Sequence, residues 1–331
     1  MSATSWVLLA IATVVVVGAL CLWTPDESRQ ELEAKYLRAP TDYIDVAGIK
    51  LHVRDTGPRD GPPVLLLHGF ASSLQTWEPW SEALSTDMRV LRLDLPGSGL
   101  TGADPTGNYS DARGIEVLLA LLDKLQLPRI SVVGNSIGGR LAWKLAAQEP
   151  LRVVKLVLIS PDGFASPGFE YGHPAHVPAT LQMLKYTLPK ALLRLNLRVA
   201  YANPDALTDE VLTRYYDMML APGVRSAMID RLRQTVLDDP VPILCRIRAP
   251  TLILWGEKDQ MIPVSNAADY LKAIPHSTLI RLPDLGHVPQ EEAPRTSLLP
   301  VRNFLRNDAT PVVAHFHQDP NSPSTVGAGG A

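Results

Sequence analysis

The stretch "VVGNSIGGRLAWKLA", residues 132–146, sets Gly134-Asn135-Ser136-Ile137-Gly138 between a β-branched run and a helix-forming one. A serine flanked in this way fits an ordinary strand-to-helix turn, where small residues are common. It also fits a nucleophile on a strained elbow, with glycines where strand and helix crowd together. Five residues alone do not choose between the two readings. The surrounding pattern has to.

Short, continuous apolar runs recur on both sides, at residues 64–67, 90–93, 130–133, 153–159 and 251–255, with a further strand at 278–282. They are too short for helices and suit strands buried on both faces of a parallel sheet. Before them, "YIDVAGIKLHVRD" alternates apolar and polar residues around Ala47-Gly48, an opening hairpin. Helical patterns lie between the runs at 77–84, 112–125, 138–148, 265–273 and 291–305. Pro300 is expected to kink the last of these or to end its first part. Such alternation predicts a mostly parallel sheet with helices on both faces. Residues 162–248 break the rhythm with helical patterns at 179–201, 208–220 and 224–237 and no strand-like run; in the first, Leu181, Leu184, Leu188, Leu192, Leu195 and Val199 recur at helical spacing as one apolar stripe, and Pro189 is expected to split the segment into two helices. An insertion after a strand's C-terminal end overlies the sheet edge where ligands bind, and reads as a helical cap.

Four stretches, in order, resemble the α/β-hydrolase superfamily, in the branch whose helical cap follows the sixth strand. They are "VLLLHGFASS", "ISVVGNSIGG", "TLILWGEKDQMIP" and "LPDLGHVPQEEAP". The resemblance covers about residues 43–307. It implies Ser136 as nucleophile, Asp259 as the acid, His287 as the base, and the N–H groups of Phe70 and Ile137 as an oxyanion hole. Two other carboxylates compete with Asp259: Asp162 follows the preceding strand, and Asp94 sits near the same sheet edge. His68 is expected to shape its loop. Of the eight histidines, only His287 follows the last strand just before a helix. The implied chemistry is ester cleavage through an acyl-enzyme, carboxylesterase- or lipase-like, on a small apolar ester. Asn135 beside the serine also resembles hydrolases that cleave carbon–carbon bonds in ring-fission products, although "HGFASSLQTW" departs from their Gly-Pro-Gly type loop. Cofactor-free haloperoxidases use the same triad, and a non-catalytic binding protein on this scaffold is a further alternative. Ser136 stands where dehalogenases and epoxide hydrolases need Asp.

The 331 residues, 46% of them hydrophobic, are ample for one large α/β domain. A net charge of -3 gives no electrostatic reason to expect nucleic acid. Two cysteines, Cys21 and Cys245, do not make a disulfide framework, and no metal or cofactor is expected. Four segments are expected: an N-terminal one at 1–25, a core at 40–161 and 249–306, the cap at 162–248, and a disordered Pro/Gly/Ser-rich tail at 307–331. From Trp6 to Trp23 no residue is charged. At about 1.5 Å per residue this run approaches the thickness of a bilayer core, and predicts a single-pass membrane anchor, with a cleaved signal peptide as the rival. The side of the membrane stays open, since Arg29, Lys35 and Arg38 give only a weak positive-inside signal.

Overall fold

The structure is a computed structural model that describes residues 2–166 and 170–306. Eight strands form one sheet: β1 (Tyr43–Val46), β2 (Ile49–Thr56), β3 (Pro63–Leu67), β4 (Arg89–Leu93), β5 (Ile130–Asn135), β6 (Val153–Ile159), β7 (Thr251–Gly256) and β8 (Ser277–Leu282). Their order is β1-β2-β4-β3-β5-β6-β7-β8, parallel from β4 onward and antiparallel at the opening hairpin and the β2–β4 pair. The central strands β5 and β7 are buried along their whole length, which is why their sequences run apolar without alternation. Strand β8, at the edge, alternates instead.

Twelve helices accompany the sheet among the described residues: α1 (Ala3–Leu22), α2 (Arg29–Tyr36), α3 (Glu78–Leu84), α4 (Asp111–Lys124), α5 (Ile137–Gln148), α6 (Lys190–Arg198), α7 (Asp209–Met219), α8 (Val224–Gln234), α9 (Val241–Leu244), α10 (Asn266–Ala273), α11 (Pro289–Glu292) and α12 (Pro294–Arg306). Helix α4 shows how the sequence builds them. Ser110 caps its first turn by accepting from the Arg113 N–H, and Ile115, Leu118, Leu121 and Leu122 recur at helical spacing on the buried side. One sheet face packs on α4, α5 and α10, the other on α3 and α12.

A third apolar cluster lies under the cap, where Leu188, Leu193, Tyr201, Met218 and Met228 meet Leu32 of α2. The cap enters between β6 and β7 as helices α6–α9, preceded by a 3₁₀ turn at Ala179–Lys185. Pro189 stands between that turn and α6 and resets the helical phase. As a result Leu193 is buried, while Leu192 and Leu195, expected on one inward stripe with Leu188, point to solvent.

Two further expectations are corrected. Pro300 does not break the last helix; α12 runs through it, held by buried Leu298, Val301 and Phe304. The break falls at Ala293, forced out of helical geometry by the following Pro294. The single-pass anchor over 1–25 is also withdrawn: α1 forms, but no helix among the described residues is long and apolar enough to cross a membrane. Instead, the chain leaving α1 is stitched to the cap. The Thr24 N–H donates to Tyr186 O (2.9 Å), the Leu188 N–H donates to Thr24 Oγ1 (3.1 Å), and buried Arg225 pairs with Asp26 (2.6 Å) and donates to Thr24 O. Helix α2 continues the strap, with the Tyr36 hydroxyl donating to Asp217 (2.8 Å) and Arg29 donating to Leu100 O (2.8 Å). The expected tail, 307–331, lies outside the described residues.

Candidate active site

Strand β5 ends at Asn135, helix α5 begins at Ile137, and Ser136 takes the corner alone with φ 55° and ψ −122°. For a residue with a side chain this conformation costs on the order of 1–3 kcal/mol, held here by β5 and α5 on either side. The corner closes tightly because Gly138 lacks a side chain: a Cβ there would lie 2.5 Å from His68 O and 2.7 Å from Leu67 C, at the end of β3. Helix α5 therefore starts against the loop that carries Phe70. Among the described residues, neither the Phe70 N–H nor the Ile137 N–H has an acceptor.

Asp259 follows β7 and His287 follows β8, and the two loops meet. His287 Nδ1 lies 2.8 Å from Asp259 Oδ2, with both side chains buried. Burial pushes the Asp259 carboxyl up, but His287 and the N–H groups of Ile262 and Met261 outweigh it, holding the acid below its ordinary range. An ionised carboxylate only accepts, so Nδ1 carries the proton that makes this bond, and in the neutral ring the lone pair is then on Nε2. Asn135 ties this loop to the elbow: its Nδ2 donates to His287 O (3.0 Å) and to Ile159 O (3.1 Å). Gln290 Nε2 in turn reaches Asn135 Oδ1 (3.3 Å).

The competing carboxylates are committed elsewhere. Asp162 accepts from Arg140 (2.8 Å). Asp94 accepts from the Leu74 and Leu100 N–H groups (2.7 and 2.8 Å) and pairs with His52 (2.7 Å), which orders the loops around it. His68 donates from Nδ1 to Gly69 O (2.8 Å) and accepts the Leu95 N–H at Nε2 (2.9 Å). Burial pushes its pKa down, so it is a neutral loop brace.

Between the Phe70 loop and the cap, Ala71, Ser72, Gly99, Met218, Met219 and Met228 among others line a cleft packed so closely that it leaves no room for a water molecule. Sequence reasoning missed the groups joining the cap to the His287 loop: Tyr201, Arg214, Tyr215, Glu291 and Glu292. The one available signal was the acidic pair directly after "HVPQ".

A family described as "alpha/beta hydrolase fold" matches residues 62–294. The chain belongs to it. A 2-hydroxymuconate semialdehyde hydrolase of Pseudomonas putida is 32% identical over 272 residues, covering 79% of this chain and 92% of the relative. Among solved structures, the meta-cleavage product hydrolase of Pseudomonas fluorescens IP01 superposes with a TM-score of 0.67 at 26% identity, covering 80% of this chain and 98% of the other. An Acinetobacter baumannii protein titled a putative lipase gives 0.70 at 27%, covering 85% and 97%. This α/β hydrolase thus has relatives of both kinds, and the meta-cleavage type recurs more often among the similar sequences.

Proposed function

We propose that the chain is a serine hydrolase using Ser136, His287 and Asp259 on an uncharged substrate, with a carboxylic ester as the scissile bond. The observation that carries the reading is the 2.8 Å His287–Asp259 pair, on a loop that Asn135 binds to the Ser136 corner. Nε2 of His287 takes the Ser136 proton as Oγ attacks the carbonyl carbon, and the imidazolium formed is stabilised by Asp259. The oxyanion is received by the Phe70 and Ile137 N–H groups, backbone donors that need no rearrangement as charge develops. The imidazolium returns its proton to the departing alcohol. Water, deprotonated by the same nitrogen, then releases the acid from the acyl-enzyme.

Cations near the cleft support an uncharged acyl group. Arg214 is ion-paired with Glu291, and Arg231 is spent on the carbonyls of Pro96 and Tyr109. Neither guanidinium is free to pair with an anionic substrate, and burying an unpaired charge is costly. Similarity favours the second reading, carbon–carbon cleavage in a vinylogous diketone, because hydrolases of meta-cleavage products recur among the relatives. The two readings separate in one assay: kcat/KM on a p-nitrophenyl ester series from acetate to decanoate, beside a ring-fission dienoate. Turnover of the esters alone supports the first reading. Turnover of the dienoate with esters near background supports the second.

A further inference from the structure

Glu291 and Glu292 follow His287 by four and five residues, and their carboxylates reach the cap by separate routes. Glu291 is buried and ion-pairs with Arg214 of α7. It also accepts the hydroxyls of Tyr201 (2.5 Å) and Tyr215 (3.1 Å). Burial pushes both phenols well above their ordinary pKa, so they remain donors. Glu292 straddles two chain segments. One oxygen accepts the Gly286 N–H (2.7 Å), next to the base, and the other accepts the Asn203 N–H (2.6 Å), in the cap. A third link is direct, from the His287 N–H to Ala200 O (2.8 Å). The residues on both sides of His287 are thus bonded to residues 200–203, while the imidazole itself touches only Asp259 among these groups.

We propose that Glu291 and Glu292 are positioning residues that register the cap to the base, so that His287 is held in line only while residues 200–203 are seated. The inference rests on the reading of His287 as the general base. Its logic is geometric. A ring bonded at Nδ1 alone can still pivot with its backbone, and the backbone here is fixed from the cap side.

The test is Glu292→Gln in the full chain. The amide keeps one acceptor oxygen and turns an NH₂ toward the other N–H, so either Gly286 or Asn203 is left facing a donor. A loss of alignment of this kind is expected to lower kcat by about 10- to 100-fold on p-nitrophenyl butyrate. KM should stay within about threefold, since the variant leaves the cleft untouched. The downfield proton resonance of the His287–Asp259 hydrogen bond should broaden or vanish. Tyr201→Phe, which removes one hydroxyl and no acceptor, should give the same pattern more weakly, and decides the matter if Glu292→Gln does not fold. Wild-type kcat with an intact resonance in the folded variants would overturn the proposal. So would a lower melting temperature with kcat and resonance preserved, which is the signature of structural support alone. Ser136→Ala separates the two levels of inference. If it still turns over, the assignment of the triad fails; if it is inactive while both other variants behave as wild type, only the registration fails.

Discussion

Gly286→Ala puts a single methyl where cap and core backbones pass each other. The added Cβ would lie 2.6 Å from Ala200 O, 2.7 Å from Ala202 N and 3.0 Å from Tyr201 C. These are all backbone atoms, so no side chain can swing aside. Restoring ordinary contact with Ala200 O requires a displacement of roughly 0.7 Å, and overpacking of this kind costs about 1–3 kcal/mol. For a chain of this size that corresponds to a melting-temperature drop of roughly 1–5 °C. The displacement cannot stay local, because the carbonyl that would be struck also accepts the His287 N–H. A shift approaching 1 Å at a reacting group costs about 10²-fold, so kcat should fall by about 10- to 100-fold. Differential scanning fluorimetry and steady-state kinetics on p-nitrophenyl butyrate read both quantities on one sample. Titration with a fluorophosphonate gives the active fraction, so that kcat refers to folded enzyme. A variant with wild-type melting temperature and kcat would refute the close approach. A lower melting temperature with unchanged kcat would show that the cap yields and the base does not.

Asp259→Asn should lose about 10⁴-fold in kcat, while Asp162→Asn, whose partner is Arg140, should stay within about tenfold of wild type. Denaturant titration should separate two cap leucines. Leu188→Asp, at a buried position, should cost about 3 kcal/mol or more, and Leu192→Asp, half exposed, about 0.5 kcal/mol or less. Burial pushes the Asp94 carboxyl up, but His52, His68 and the Leu74 N–H outweigh it and hold it below its ordinary value. Its contribution to stability is therefore complete above the unfolded value of about 3.9 and is lost as pH falls through the lower folded value. The melting temperature should thus fall more steeply below about pH 4 in wild type than in Asp94→Asn.

The sheet was legible because each central strand is a short, mostly apolar run, and a helical pattern separates most of them. The addresses of Ser136, Asp259 and His287 were legible for a related reason: each follows the C-terminal end of a strand, where a parallel sheet gathers its loops. Helix α2 escaped notice because half of its eight residues are charged and it buries Leu32 alone. The cap stripe was misphased because Pro189 restarts the helix, so spacing counted across it carries no meaning. Glu291 and Glu292 were invisible as linkers, since Tyr201, Asn203 and Arg214 lie some 80 residues or more earlier and only the fold brings them together. The apolar run before Trp23 misled in another way. Lack of charge is necessary for crossing a bilayer, but it did not reveal that the residues just beyond are bonded to the cap.

The strap formed by residues 24–37 bears on how caps are exchanged between relatives. Arg225 is almost fully buried, and its carboxylate partner comes from Asp26, nearly two hundred residues earlier. Asp217 of α7 likewise depends on Tyr36 and Lys35. A chimera joined only at the ends of β6 and β7 would therefore transplant a guanidinium into a site with no counter-charge. The heritable unit is discontinuous: cap helices and N-terminal strap have to be recombined together. A library that shuffles one without the other will select mainly for repair of that lost pair.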